Sequence, residues 1–159
     1  MDPVSISSAS AILSIVVSGL VATALMSAFV MSFSRTRVLP VNPLDAIGSM
    51  VTGASSEARW VGVLLHISVG LGAAVMYAYI LKLTGMVGLL LPIGGAALIG
   101  LIHGYVLSFL IVIALGENGS TSEIQTQGMS QAGVYLVAHI LYGLSLGIMF
   151  TLLPGALLA

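Results

Sequence analysis

Residues 60–81 read WVGVLLHISVGLGAAVMYAYIL, an apolar run with one histidine and no Asp, Glu, Lys or Arg. A helix needs about 20 such residues to cross about 30 Å of hydrocarbon at about 1.5 Å per residue. A barrel strand takes only about 10, so the length selects a helix. Trp60 beside Arg59 at one end, and Tyr77, Tyr79 and Lys82 at the other, read as interfacial anchors.

Working outward, three further runs qualify as spans: Ala11 to Phe33, Gly88 to Leu115 and Ala132 to Leu153. Pro92 marks the start of regular helix in the third, because proline suits a first turn and disrupts later ones. The whole composition agrees: 58% of the 159 residues are hydrophobic and 6% charged, against about a quarter charged in soluble domains. A net charge of −1 gives no basic footprint for nucleic acid, and the absence of Cys removes disulfides, thiolate metal sites and cysteine nucleophiles. Met1 to Ser10 has no Lys or Arg and the run after it is too long for a signal-peptide core, so it reads as a retained first span. The expected fold is all-α: a transmembrane four-helix bundle, up-down-up-down, forming one domain over residues 1–159.

The connection Ser34 to Arg59 carries Arg35, Arg37 and Arg59, whereas the other side has Lys82 near the Thr84-Gly85 turn. The positive-inside rule puts the arginines in the cytoplasm and the termini outside. Within this connection Asn42-Pro43-Leu44-Asp45 has the grammar of a helix start, with Asn42 as cap, Pro43 in the first position and Asp45 near the positive dipole end. The spacing of Leu44, Ile47 and Val51 predicts a short interfacial helix over 43–52, stopped by Gly53. The second connection, Gly116 to Ser130, is polar and holds Glu117 and Glu123. Its Asn118-Gly119-Ser120 matches a glycosylation sequon, a tripeptide common by chance.

The second and fourth spans share an internal echo. His66, Ile67, Gly70, Leu71 and Met76 recur as His139, Ile140, Gly143, Leu144 and Met149 at one offset, with Tyr77 matched by Phe150. The odd spans echo more weakly: Gly19 with Gly95, Leu25 with Leu101, Ser32 with Ser108 and Phe33 with Phe109, which sets Ser27 against His103. The pattern predicts tandem duplication of a helical hairpin, with repeats related by an axis along the membrane normal.

Lipid gives helices no hydrophobic reason to associate, so small residues must let them approach. Gly62, Gly70, Gly143 and Gly147 lie on the histidine-bearing stripes and are the expected packing positions. No Asp, Glu, Lys or Arg lies inside a span, which leaves His66, His103 and His139 as the intramembrane ionisable groups. His66 falls roughly 9 Å and His139 roughly 10 Å from one face, while His103 lies roughly 18 Å in, near the midplane. Two imidazoles at one depth on diagonal helices resemble the bis-histidine ligation of membrane cytochromes b, which would imply one b-type haem on His66 and His139 with Gly19 and Gly95 making room. A divalent metal shared among His66, His103 and His139 is a second option. Plain interhelical hydrogen bonds to Thr23, Ser27, Ser68 or Tyr142, averaging about 0.6 kcal/mol, are the third.

Nucleophile–base, phosphate-loop and His-Glu-x-x-His signatures are missing from the sequence, and a proton-coupled carrier would be expected to show buried carboxylates. The run GLVATALM at 19–26, DAIG at 45–48 and the two His-Ile-x-x-Gly openings resemble a group of small prokaryotic four-span membrane proteins of unknown function. That resemblance covers nearly the whole chain, implies a prokaryotic cell (inner) membrane, and supplies no activity. The expected role is a non-catalytic integral membrane subunit in the lipid bilayer, packing with other membrane subunits. A haem-bearing redox subunit and a small-solute or metal carrier are the alternatives.

Overall fold

The computed structural model describes residues 8–34, 36–39, 42–53, 56–86, 88–118 and 122–153. They form α1 (Ser8–Ser32), α2 (Pro43–Thr52), α3 (Ala58–Leu83), α4 (Leu91–Asn118) and α5 (Ser122–Leu152). All but α2 contain a stretch long and apolar enough to cross a membrane. The chain is all-helical among the described residues, apart from an isolated bridge between Ser34 and Leu39.

The long helices make a ring in chain order. α1 packs on α3 and α5, and α4 packs closely on α5. Of the neighbours round the ring, α3 and α4 touch least, so there is a loose seam there, with α3 and α5 on a diagonal. Tyr77, Leu81, Leu146 and Phe150 are the large side chains fully buried in the middle.

Local chemistry accounts for α2 as the sequence reads it. The Asn42 side chain accepts from the Leu44 N–H at 3.0 Å, Pro43 occupies the first turn, and Gly53 ends the helix at φ 67°. What seats α2 is its contact with the start of α3. A methyl group at Gly48 would strike the carbonyl oxygen of Ala58, and one at Gly62 the carbonyl of Leu44, so the two backbones touch. Arg59 donates Nε and Nη2 to the two Asp45 oxygens, each at 2.9 Å. At the far end of α3 the Gly85 N–H reaches Lys82 O and the Met86 N–H reaches Leu81 O, the double bond of a Schellman stop, with Gly85 at φ 65°.

α4 begins at Leu91 with Pro92 in its first turn, where that proline marks the start of regular helix within the run from Gly88. Two expectations need correction. The polar stretch Gly116 to Ser130 is mostly helix: α4 runs to Asn118 and α5 starts at Ser122, ten residues before the expected span. Apolar patterning marks only the lipid-crossing part, whereas Glu, Gln and Ser sustain a helix beyond it. Arg35, and the sequon's Gly119 and Ser120, lie outside the described residues. Finally, Tyr77 is not an interfacial anchor, for it is 0% exposed, unlike Tyr79 at 62%.

Candidate functional site

The interior polar groups meet in pairs across helix boundaries. His66 of α3 lies with Nε2 3.0 Å from Ser27 Oγ of α1. His103 of α4 places Nδ1 3.3 Å from the Tyr77 hydroxyl of α3. His139 of α5 donates its Nδ1–H to the Tyr135 carbonyl one turn earlier, at 2.7 Å. Its ring sits edge-on to His103, with centroids 4.9 Å apart. Tyr77 in turn packs edge-on against Tyr142 at 5.6 Å, and Tyr142 donates its hydroxyl to the Gly70 carbonyl across the diagonal.

Thr23 completes this centre. It is buried on α1, and a methyl at Gly70 would overlap its hydroxyl, so α1, α3 and α5 converge on Gly70. Among the described residues Thr23 Oγ1 makes no hydrogen bond of full geometry, and its polar neighbour is the Tyr142 hydroxyl. Ser68, an expected histidine partner, is exposed instead.

Of the three histidines, the structure brings His103 and His139 together and gives His66 to Ser27 on the other hairpin. Among the described residues there is no group of three or more His, Cys, Asp or Glu placed to hold one metal ion. The glycines expected to accommodate a porphyrin are filled by neighbours: a Cβ at Gly19 would meet Ala74 and Leu71, and one at Gly95 would meet Met86 and Leu81. A haem between His66 and His139 would have to displace those contacts, the Ser27 bond and the Tyr142–Gly70 link, all at once.

The packing glycines are in close contact. Gly143 lies on the backbone of Ala96 and Ala97, Gly147 on Ile93 and Pro92, and Gly70 on Thr23. Gly62 serves α2 rather than the bundle interior. Gly100 and Gly104, which mark the third span as small residues in the sequence, give α5 its approach to α4 at His139. The role of Tyr77 was missed for its place near the chain end of a span. Its helical spacing with Gly70, Ala74 and Leu81, all buried, carries the signal.

Comparison with known proteins adds one positive finding. The chain belongs to a family of unknown function, DUF6789, whose model matches residues 9–157. No curated protein and no solved structure matches.

Proposed function

We propose that this member of the family is an integral membrane subunit without a catalytic set of its own, packing against helices of larger membrane partners. The observation that carries the reading is where the open glycines lie. Gly72 of α3, Gly94 of α4 and Gly133 of α5 are exposed and have nothing within 4 Å of where a Cβ would stand. Ser68, four residues before Gly72, is exposed on the same helix face. In lipid a small-x-x-x-small face gains nothing from acyl chains and much from a close helix, so such a face is suited to association.

The test is affinity capture of the full chain from its native membrane in mild detergent. Larger membrane proteins are expected to copurify in fixed ratio and to be lost from a Ser68→Leu, Gly72→Leu double variant whose thermal unfolding is unchanged. Capture of the chain alone, or partners indifferent to the double variant, would refute the reading.

The same reading places the protein in a prokaryotic cell membrane, with Arg37 and Arg59 on the cytoplasmic side and the termini outside. We further infer that the bundle is a duplicated hairpin. Its support is that equivalent pairs, Ser27 with His66 and His103 with His139, each face one another within their own half. Unequal depths of the two pairs in a lipid-embedded structure would count against it.

A further inference from the structure

We propose that the outward face of α4 is an interface between two copies of this chain, in which the two Tyr105 hydroxyls bond to each other across a twofold axis along the membrane normal. Tyr105 is 64% exposed, on a side of α4 turned away from the Gly100 and Gly104 contacts with α5. Along the helix it falls roughly 15 Å from Leu115 and roughly 21 Å from Leu91, at about 1.5 Å per residue. That depth is hydrocarbon, far from the interfacial level at which a tyrosine hydroxyl is wet.

Inside the bundle, the Tyr77 and Tyr142 hydroxyls sit on His103 and on the Gly70 carbonyl. Tyr105 makes no hydrogen bond among the described residues. Its ring stacks on Phe109, also exposed, with centroids 6.5 Å apart and planes 10° from parallel. A hydroxyl moved from water into hydrocarbon without a partner is costly, so this face is complete only when something else supplies one. The stack holds the ring before association, which lowers the cost of ordering it on contact.

Symmetry selects the partner. Two copies inserted the same way up pair about an axis along the normal, which sets each residue of the seam opposite its counterpart at the same depth. A hydroxyl is donor and acceptor at once, so Tyr105 is its own complement there, whereas a different partner would need a polar atom placed at this depth. The rest of the face is equally self-compatible. Leu98, one heptad before Tyr105, and Leu101 and Ile102 between them are exposed, and Gly94 has open space where a Cβ would stand. None of them carries a charge to repel its own copy, and the spacing is that of a helix–helix seam. This face is separate from Ser68 and Gly72 on α3, so the inference does not rest on association with larger partners.

The experiment uses the full chain, which has no Cys of its own. Leu98→Cys, oxidised in native membranes, is expected to give a disulfide-linked species of twice the chain mass, and Val69→Cys, also exposed but on α3, is expected to give none. Light scattering of the purified chain over a dilution series in mild detergent should show two chains at high concentration, with the dissociation constant raised about threefold or more by Tyr105→Phe. Phenylalanine keeps the ring and its stack, so that shift reads the hydroxyl alone. A single chain at every concentration, or Tyr105→Phe dimerising as the parent does, overturns the interface. So does a Val69→Cys cross-link as ready as that of Leu98→Cys, or a Leu98→Cys product whose mass shows a different protein on this face. The Ser68→Leu, Gly72→Leu double variant leaves the dimer intact, so the pairing of copies and the capture of larger partners fail separately.

Discussion

Gly70 and Gly72 lie two positions apart on α3 and meet opposite surroundings. Gly70 is enclosed by Thr23 and supplies the carbonyl that Tyr142 bonds, while Gly72 faces open space. Adding a methyl at Gly70 must push α1 from α3, an overpacking cost of about 1–3 kcal/mol. At Gly72 the same methyl meets nothing and gains the helix preference of alanine, about 0.5–1 kcal/mol. Thermal unfolding in detergent should therefore show Gly70→Ala clearly destabilised and Gly72→Ala equal to or above the parent. Equal losses at both positions would mean the convergence on Gly70 is not what holds the centre. The sequence marked Gly70, one turn from His66 on the same stripe, and left Gly72 aside, but it could not say that Thr23 is what encloses Gly70.

α2 is the element whose boundaries were legible residue by residue and whose seat was not. Its cap, its proline and its terminal glycine act within a few residues of chain, so sequence suffices. Its docking depends on Gly48 and Gly62 touching the backbones of Ala58 and Leu44, a contact between segments that no local rule connects. The ion pair of Asp45 with Arg59 lies over this crossing, but the Arg59 side chain is 56% exposed, so it adds little beside the backbone contact. Hydrogen exchange should show residues 43–52 losing protection in Gly48→Ala while the four long helices keep theirs. Asp45→Asn should leave the same residues nearly as protected as in the parent. The reverse ranking would make the ion pair the main tether.

For the whole molecule, four crossings would put the 34–59 and 116–130 connections on one side, and the positive-inside rule predicts that this arginine-bearing side is cytoplasmic. The chain has no Cys, so single-cysteine labelling has no background. A membrane-impermeant maleimide on intact cells should label Leu89→Cys at the α3–α4 turn, and reach Ser56→Cys only after permeabilisation. Both positions are exposed and outside the long helices. The opposite pattern would invert the orientation. Labelling of both from one side would remove the crossing by α3 between them.

The sequence by itself determined the number of crossing helices, their approximate extent, the short helix with its caps, and the three histidines as the ionisable groups inside. Those follow from quantities that act locally, namely apolar length, backbone geometry and capping. Which histidine meets which partner, which tyrosine is interior, and which glycines are filled or open were decided only by tertiary structure. In lipid both faces of a helix are apolar, so the periodic contrast that separates inside from outside in a soluble helix is almost absent from α1, α3, α4 and α5. Facing is then set by close backbone approach at small residues and by a few interior hydrogen bonds, and these exist only once the helices are assembled.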